Sequence, residues 1–322
     1  MSDPAVLKAG SLFAQSVRLF VAPVDRADVL PVAFDPAQLG RFALSAPPAG
    51  WTDAGSILDF ERTPAAAVSQ VLSGSPATVK MQNRSALEEE VRWTFPAWSR
   101  VAMVLSGGVQ TMNLLKTATG ASANASGGVA VAAEPVLAGS TATVLNLAPT
   151  TAVQAGDVVV VDADYASQTG YVGSGAAGTY VTAPATMPDA HYTRRVSLNV
   201  ARVLRVDAGV VTLAQPLLAG APTTAMKVAV VEGFVDRTGG AYLPEWSALI
   251  VMDGVQGDRL LLHYPRLQPV GASAAEVNSV VMSGIDRWRP CARLRALPAT
   301  DATDGSSAIC FRTYLPAPMR LV

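Results

Sequence analysis

The sequence predicts a mainly β protein with one short helix and a small all-β module inserted between two parts of a core. Three observations carry this. The run Glu88–Phe95 alternates polar and apolar residues with the two-residue period of a strand. The stretch from Ala142 to Val231 is dense in β-branched runs separated by turn signals. A single short helix signal, Arg100–Ser106, stands between a proline and a glycine pair.

Composition bounds the class. The 322 residues are 50% hydrophobic and only 15% charged, where soluble domains carry roughly 25% charge. Mean hydropathy is +0.31. A membrane span needs about 20 mostly apolar residues in a row, and the best N-terminal candidate, Val6–Val24, is broken by Lys8, Gln15 and Arg18. Asp3 and Pro4 argue against a signal peptide. The expectation is a soluble, non-secreted chain that hides part of its surface against partners. Net charge is −1, without the basic excess of a protein that grips nucleic acid.

The elements follow in order. Met1–Val32 reads as an arm or an edge strand. Phe34-Asp35-Pro36 and Ala46-Pro47-Pro48-Ala49-Gly50, ending at Trp51, read as an extended loop, because proline removes donors and glycine permits positive φ. Asp53–Arg62 and Ala77–Gln82 are strands of moderate signal. In Glu88–Phe95, Val91, Trp93 and Phe95 share a dry face, and Glu88, Glu90, Arg92 and Thr94 share a polar one. Pro96-Ala97-Trp98-Ser99 opens the helix and Gly107-Gly108 stops it.

Residues 117–143 are mostly small, either a flexible connection or extended backbone packed against something else. Beyond them, Val158–Val161, Arg195–Val206 and Val210–Leu213 are strands, the last two joined by the turn Asp207-Ala208-Gly209. Ser247–Met252 and Arg259–Tyr264 flank a turn at Asp253-Gly254 and Gly257-Asp258. Ser279–Ile285 pairs with Ala292–Leu297, and Ile309–Tyr314 is the last strand. The expected division is a core of 1–114 and 236–322 with a module of 115–235.

Catalytic and cofactor signatures are missing. Gly173-Ser174-Gly175-Ala176-Ala177-Gly178 fits a dinucleotide fingerprint, but β-prone Thr179–Pro184 follows where a helix is needed. His191 and His263 lack a nucleophile elbow. Asp162 and Asp164 lack the rest of a calcium loop. Cys291 and Cys310 are too few for a disulfide framework and wrongly spaced for a metal knuckle; they read as two reduced thiols, which strand pairing places opposite one another only if their strands are adjacent. No cofactor, no metal and no enzymatic activity are expected.

Three segments resemble bacteriophage tail tube (major tail) proteins: Gly50–Ile57; Glu88–Phe95 with Pro96-Ala97-Trp98-Ser99 and its helix; and Leu261–Arg266 followed by Trp288–Leu297. The resemblance covers roughly residues 30–110 and 240–315 and rests on strand order and a few residue types. It implies a tail-tube-like β-sandwich or barrel with one flanking helix. Six copies would close a ring, and rings would stack into a tube through which DNA passes without specific binding. Partners would be copies of the chain and other tail proteins, in a virion tail assembled in the host cytoplasm. A neutral or acidic lining suits passage of phosphates, so Glu88, Glu90 and Arg92 are candidate lumen-facing residues. Phe34, Asp35, Pro47, Pro48 and Trp51 are candidates for an inter-ring loop. The module at 115–235 would stand outside the tube, which favours a tail without a sheath. Sibling chains would seal the core's sheet edges into one continuous barrel. Two other readings stay open: a head-decoration or baseplate protein, and a carbohydrate or host-surface binding module.

Overall fold

The structure, a computed structural model, describes residues 13–24, 31–108, 111–116, 132–163, 199–236, 243–270 and 289–317. In chain order the elements are β1 Phe13–Pro23, α1 Pro36–Leu39, β2 Thr52–Ser73, β3 Thr78–Thr94, α2 Arg100–Gly107 and β4 Thr111–Leu115. Then come β5 Ala133–Pro135, β6 Val144–Asn146, β7 Val158–Ala163, β8 Val200–Asp207, β9 Val210–Leu213 and β10 Met226–Asp236. The last are β11 Trp246–Gly254, β12 Arg259–Pro269, β13 Cys291–Ala296, β14 Ala299–Thr300, β15 Ser307–Ala308 and β16 Phe311–Leu315. The protein is mainly β, as its alternating patterns predict, and its sheets are antiparallel.

The chain divides into two compact units. The first takes Met1–Val24, Pro31–Gly108 and Tyr242–Val322; Val109–Ala241 belongs to the second. β4, at the end of the segment that sequence reading gave to the core, pairs with β10 inside the second unit.

In the first unit six strands form a closed circuit: β11–β1–β2–β3–β13–β12, with β12 returning to β11 and β16 attached to β12. Residues directly opposite in an antiparallel pair point to one face, so the registers sort the side chains. Leu19, Ile250 and Leu262 line the inside, as do Val91 with Leu294 and Trp93 with Ala292. All are buried. The circuit closes within one chain, so most of the edges that sibling chains were expected to seal are already paired; among the described residues β16 pairs with β12 alone.

The other face carries Phe20, Ala22, Leu249, Val251 and Leu261, covered by Val32, Phe34, Phe42, Leu44 and Trp51. The Pro-rich stretch is therefore a lid on the chain's own core, and it contains α1. Asp35 caps α1 by accepting from Ala37 N at 2.8 Å. In α2, Ser99 Oγ accepts from Ala102 N at 3.0 Å. Gly108 closes it with φ 60°, a left-handed value that glycine adopts without strain.

The second unit is a sheet in the order β4–β10–β7–β8–β9–β6, with β5 also on β10. Its core includes Leu145, Val159, Val161, Val203, Val211 and Val228. The turn between β8 and β9 has Ala208 at φ 46° and Gly209 at φ 90°, the double positive φ of a tight hairpin turn.

Candidate assembly interface

The longest ladder in the chain joins β2 to β3 from Leu58↔Thr94 out to Ser73↔Thr78. Only its root belongs to the barrel. β1 holds β2 at Thr52–Ile57, and β13 holds β3 at Glu90–Thr94. From Arg62 to Ser73 the ribbon is a free arm about 36 Å long, at about 3.3 Å per residue. Its tip is Gly74–Ala77. Sequence reading expects separate strands at Asp53–Arg62, Ala77–Gln82 and Glu88–Phe95; the structure fuses them into one hairpin.

Every described residue from Thr63 to Glu88 is exposed. They include Val68 (53%), Leu72 (57%) and Met81 (51%), with Val71, Val79 and Leu87. The registers give the arm two faces. Ala66 with Leu87, Val68 with Arg84, and Leu72 with Val79 continue the barrel's inner face outward. Thr63 with Glu90, Ala65 with Glu88, Ala67 with Ala86, Ser69 with Asn83, and Val71 with Met81 form the other. The stripe of large apolar groups thus lies mainly on the face that is core further down.

A buried polar cluster marks the junction. Glu89 follows the inward parity of Val91 and Trp93 and is 4% exposed. Its Oε1 accepts from Arg62 Nε at 2.6 Å and from Tyr264 O–H at 2.6 Å. The Arg62 guanidinium lies 5.9 Å from the Tyr264 ring centroid. Burial works against the Arg62 charge, yet the Glu89 bond and nearby negative charge raise its pKa overall. Burial, then neighbouring Cys310 and Glu89, push the Tyr264 phenol up. A buried carboxylate without partners is costly. Alternation alone puts Glu89 on the dry face, so a partner was legible as a requirement, though not as Arg62 and Tyr264.

The candidate lumen residues occupy the outer face at the arm's root. Glu88 and Arg92 are exposed and Glu90 is half-buried. Glu90 accepts from Arg293 Nε at 2.8 Å and from Arg295 Nη2 at 2.8 Å. Hydrogen bonds from Arg295 and then Arg293 lower its pKa. Across β2, β3 and β13 the registers align Glu61, Arg92 and Arg293, then Thr63, Glu90 and Arg295. With Glu88 this patch holds Glu61, Glu88 and Glu90 against Arg92, Arg293 and Arg295, a balanced surface.

The candidate inter-ring residues are placed differently. Trp51 is 3% exposed. Its ring meets His263 at 5.7 Å, and Phe34 meets both Trp51 (6.1 Å) and His263 (5.6 Å). Phe34 and Trp51 are committed to the protein's own core, and Asp35 to its helix cap. Pro47 and Pro48 are half-buried. His263 Nε2 and Trp51 Nε1 are buried without hydrogen-bond partners. Burial pushes the His263 pKa down to about 4.

Cys291 and Cys310 are free thiols. β13 and β16 both pair with β12 rather than with each other. Burial raises the Cys310 pKa, so this thiol stays protonated. No group of three metal-ligating side chains occurs among the described residues. The Gly173–Gly178 motif, His191, Asp164 and Ser279–Ile285 lie outside the described residues. Comparison with protein-family models and with curated proteins finds no match to this chain.

Proposed function

We propose that this chain is a structural subunit that assembles with copies of itself, and that its assembly is a bacteriophage tail tube of stacked rings open along a central channel for DNA. The observation that carries the reading is the β2–β3 arm. An isolated two-stranded ribbon is marginally stable in water, and free strand edges invite pairing with another chain. This arm has both features and exposes Val68, Leu72, Val79 and Leu87 on one face. Burying the exposed half of each is worth roughly 1 kcal/mol, so a partner that covers the stripe gains several kcal/mol. Pro64 and two irregularities in the ladder, after Ala67 and after Val71, blunt the edges. Such features restrict pairing to a chosen partner.

The closed barrel changes how copies would join. Its body offers few edges, so contact falls to the arm and to side-chain surfaces. The patch of Glu61, Glu88, Glu90, Arg92, Arg293 and Arg295 suits a channel wall: balanced charge neither repels nor retains a phosphate chain strongly. The Val109–Ala241 unit would then stand outside the tube, as in a tail without a sheath. In this reading six copies form each ring, other tail proteins cap the ends, and no cofactor takes part. Negative-stain microscopy of the purified full chain tests it. Stacked rings or hollow tubes are expected. A stable monomer at high concentration overturns it, and discrete trimers would instead favour a head-decoration role.

A further inference from the structure

Residues 31–51 cover one face of the barrel without joining its sheet. Their backbone hydrogen bonds are internal: Leu39 N donates to Asp35 O, Gly40 N to Pro36 O, Phe42 N to Leu39 O, Ala46 N to Ala43 O and Trp51 N to Pro48 O. Among the described residues no backbone bond ties this segment to a barrel strand. Side chains hold it instead. Phe42 meets Phe20 edge-on at 5.0 Å. Arg259 Nη1 donates to Phe42 O at 2.8 Å and to Gly40 O at 3.2 Å, and Arg41 Nη2 donates to Pro316 O. The remaining anchor is His263, which has Phe34 and Trp51 of the lid against it and Phe311 of β16 beside it. A segment held this way opens at lower cost than the hydrogen-bonded ladders beneath it.

We propose that this lid is acid-released: a proton on His263 loosens residues 31–51 from the barrel while the six-strand circuit stays closed. The anchor has no place for a charge. An imidazolium donates from both nitrogens, yet Nε2 is buried without a partner, and the rings around it carry no oxygen to accept. The charged groups on that face are engaged elsewhere. Arg259 of β12 pairs with Asp253 of β11, and Arg18 of β1 with Asp53 of β2. In the lid, Asp35 caps α1 and Arg41 holds the Pro316 carbonyl. Asp258, just before β12, accepts from Ala317 N at 2.9 Å. Arg312 and Tyr314 stand opposite Leu262 and Leu260, on the other face of the sheet, and Cys310 acts on Tyr264 and Arg62 there. Burial alone lowers the His263 pKa, to about 4. Lifting the lid returns the ring to water and to an ordinary value near 6.5. Above about pH 6.5 both forms are neutral and the lid ignores pH; below it the open form takes the proton that the closed form refuses. At pH 5 the ring is almost fully charged when open and about one-tenth charged when closed, so the open fraction rises about twentyfold over its value at pH 7.

Hydrogen exchange of indole N–H groups, followed by NMR on the full chain in dilute, unassembled samples, tests this. Trp51 Nε1 is buried at the lid, while Trp93 Nε1 and Trp246 Nε1 are buried in the barrel, and none of the three has a hydrogen-bond partner. Rates are divided by those of free indole at each pH. Trp51 is expected to exchange at least about tenfold faster than Trp93 and Trp246, and its rate to climb about twentyfold from pH 7 to pH 5. His263→Phe and His263→Leu have no proton to take up, so the climb should vanish in both. A Trp51 that exchanges no faster than the barrel indoles means that the lid opens only with the whole barrel, and overturns the proposal. A climb missing from the wild type, or kept in both variants, overturns it as well by removing His263 as the trigger. Assembly enters at no step, so these outcomes leave the reading of the β2–β3 arm where it stands.

Discussion

His263 supplies a stability change whose size and sign follow from the structure. Its ring lies among Phe34, Trp51 and Phe311, and its Nε2 has no hydrogen-bond partner. Burial lowers its pKa from 6.5 to about 4. Between those values the unfolded chain binds a proton that the folded chain refuses. Stability is therefore fully present above about pH 6.5, falls as pH drops through the window, and has lost the whole contribution below about pH 4. A shift of this size corresponds to about 3 kcal/mol, at about 1.4 kcal/mol per pH unit. His263→Phe keeps an aromatic ring and removes the proton site. All five tryptophans, Trp51, Trp93, Trp98, Trp246 and Trp288, belong to the segments of the barrel unit, so their fluorescence follows its unfolding. Urea unfolding at pH 7 and pH 4 should show the wild type losing about 3 kcal/mol more than His263→Phe. Equal losses in the two proteins, or an imidazole that titrates near 6.5 by NMR, would refute the burial argument.

Three further outcomes are expected. Tyr264→Phe removes one of two hydrogen bonds to the buried Glu89 carboxylate and should cost about 1.5–3 kcal/mol in urea unfolding; an unchanged midpoint would mean the cluster is not formed. Gly209→Ala places a Cβ 2.6 Å from the Leu147 carbonyl oxygen at φ +90°, so the second unit should lose more than about 1 kcal/mol, while tryptophan fluorescence of the barrel unit stays unchanged. Arg293→Ala with Arg295→Ala strips both partners from Glu90. Its carboxyl should titrate closer to the ordinary glutamate range by NMR, and a Glu90 titration that does not move would contradict the ion-pair assignment.

Much of the fold was legible because local rules sufficed. Alternation in Val91, Trp93 and Phe95 identifies the dry face, Ser99 and Gly108 bound the helix, and Asp207-Ala208-Gly209 marks the tight turn. The arm was not legible as one element. Thr63–Ala67 is a run of alanines beside a proline, with weak β propensity, and it is strand because β3 lies opposite it. Barrel closure was hidden for a related reason: the ladders β1–β11 and β3–β13 join residues far apart in sequence, which no local pattern encodes. The lid over His263 was not legible, because Pro47-Pro48 signals extended backbone and says nothing of where Phe34 and Trp51 find cover. Of the candidate site, Glu88, Glu90 and Arg92 were placed on the polar face by parity alone. Their balancing arginines came from a strand about two hundred residues away.

The central claim is that copies of this chain meet through the β2–β3 arm. Sedimentation of the full chain beside a variant with residues 64–87 replaced by a short Asn-Gly turn measures it directly. The full chain should sediment as large, concentration-dependent assemblies, and the shortened chain as a folded monomer with the circular dichroism of an intact barrel. Equal assembly by both proteins would contradict the claim.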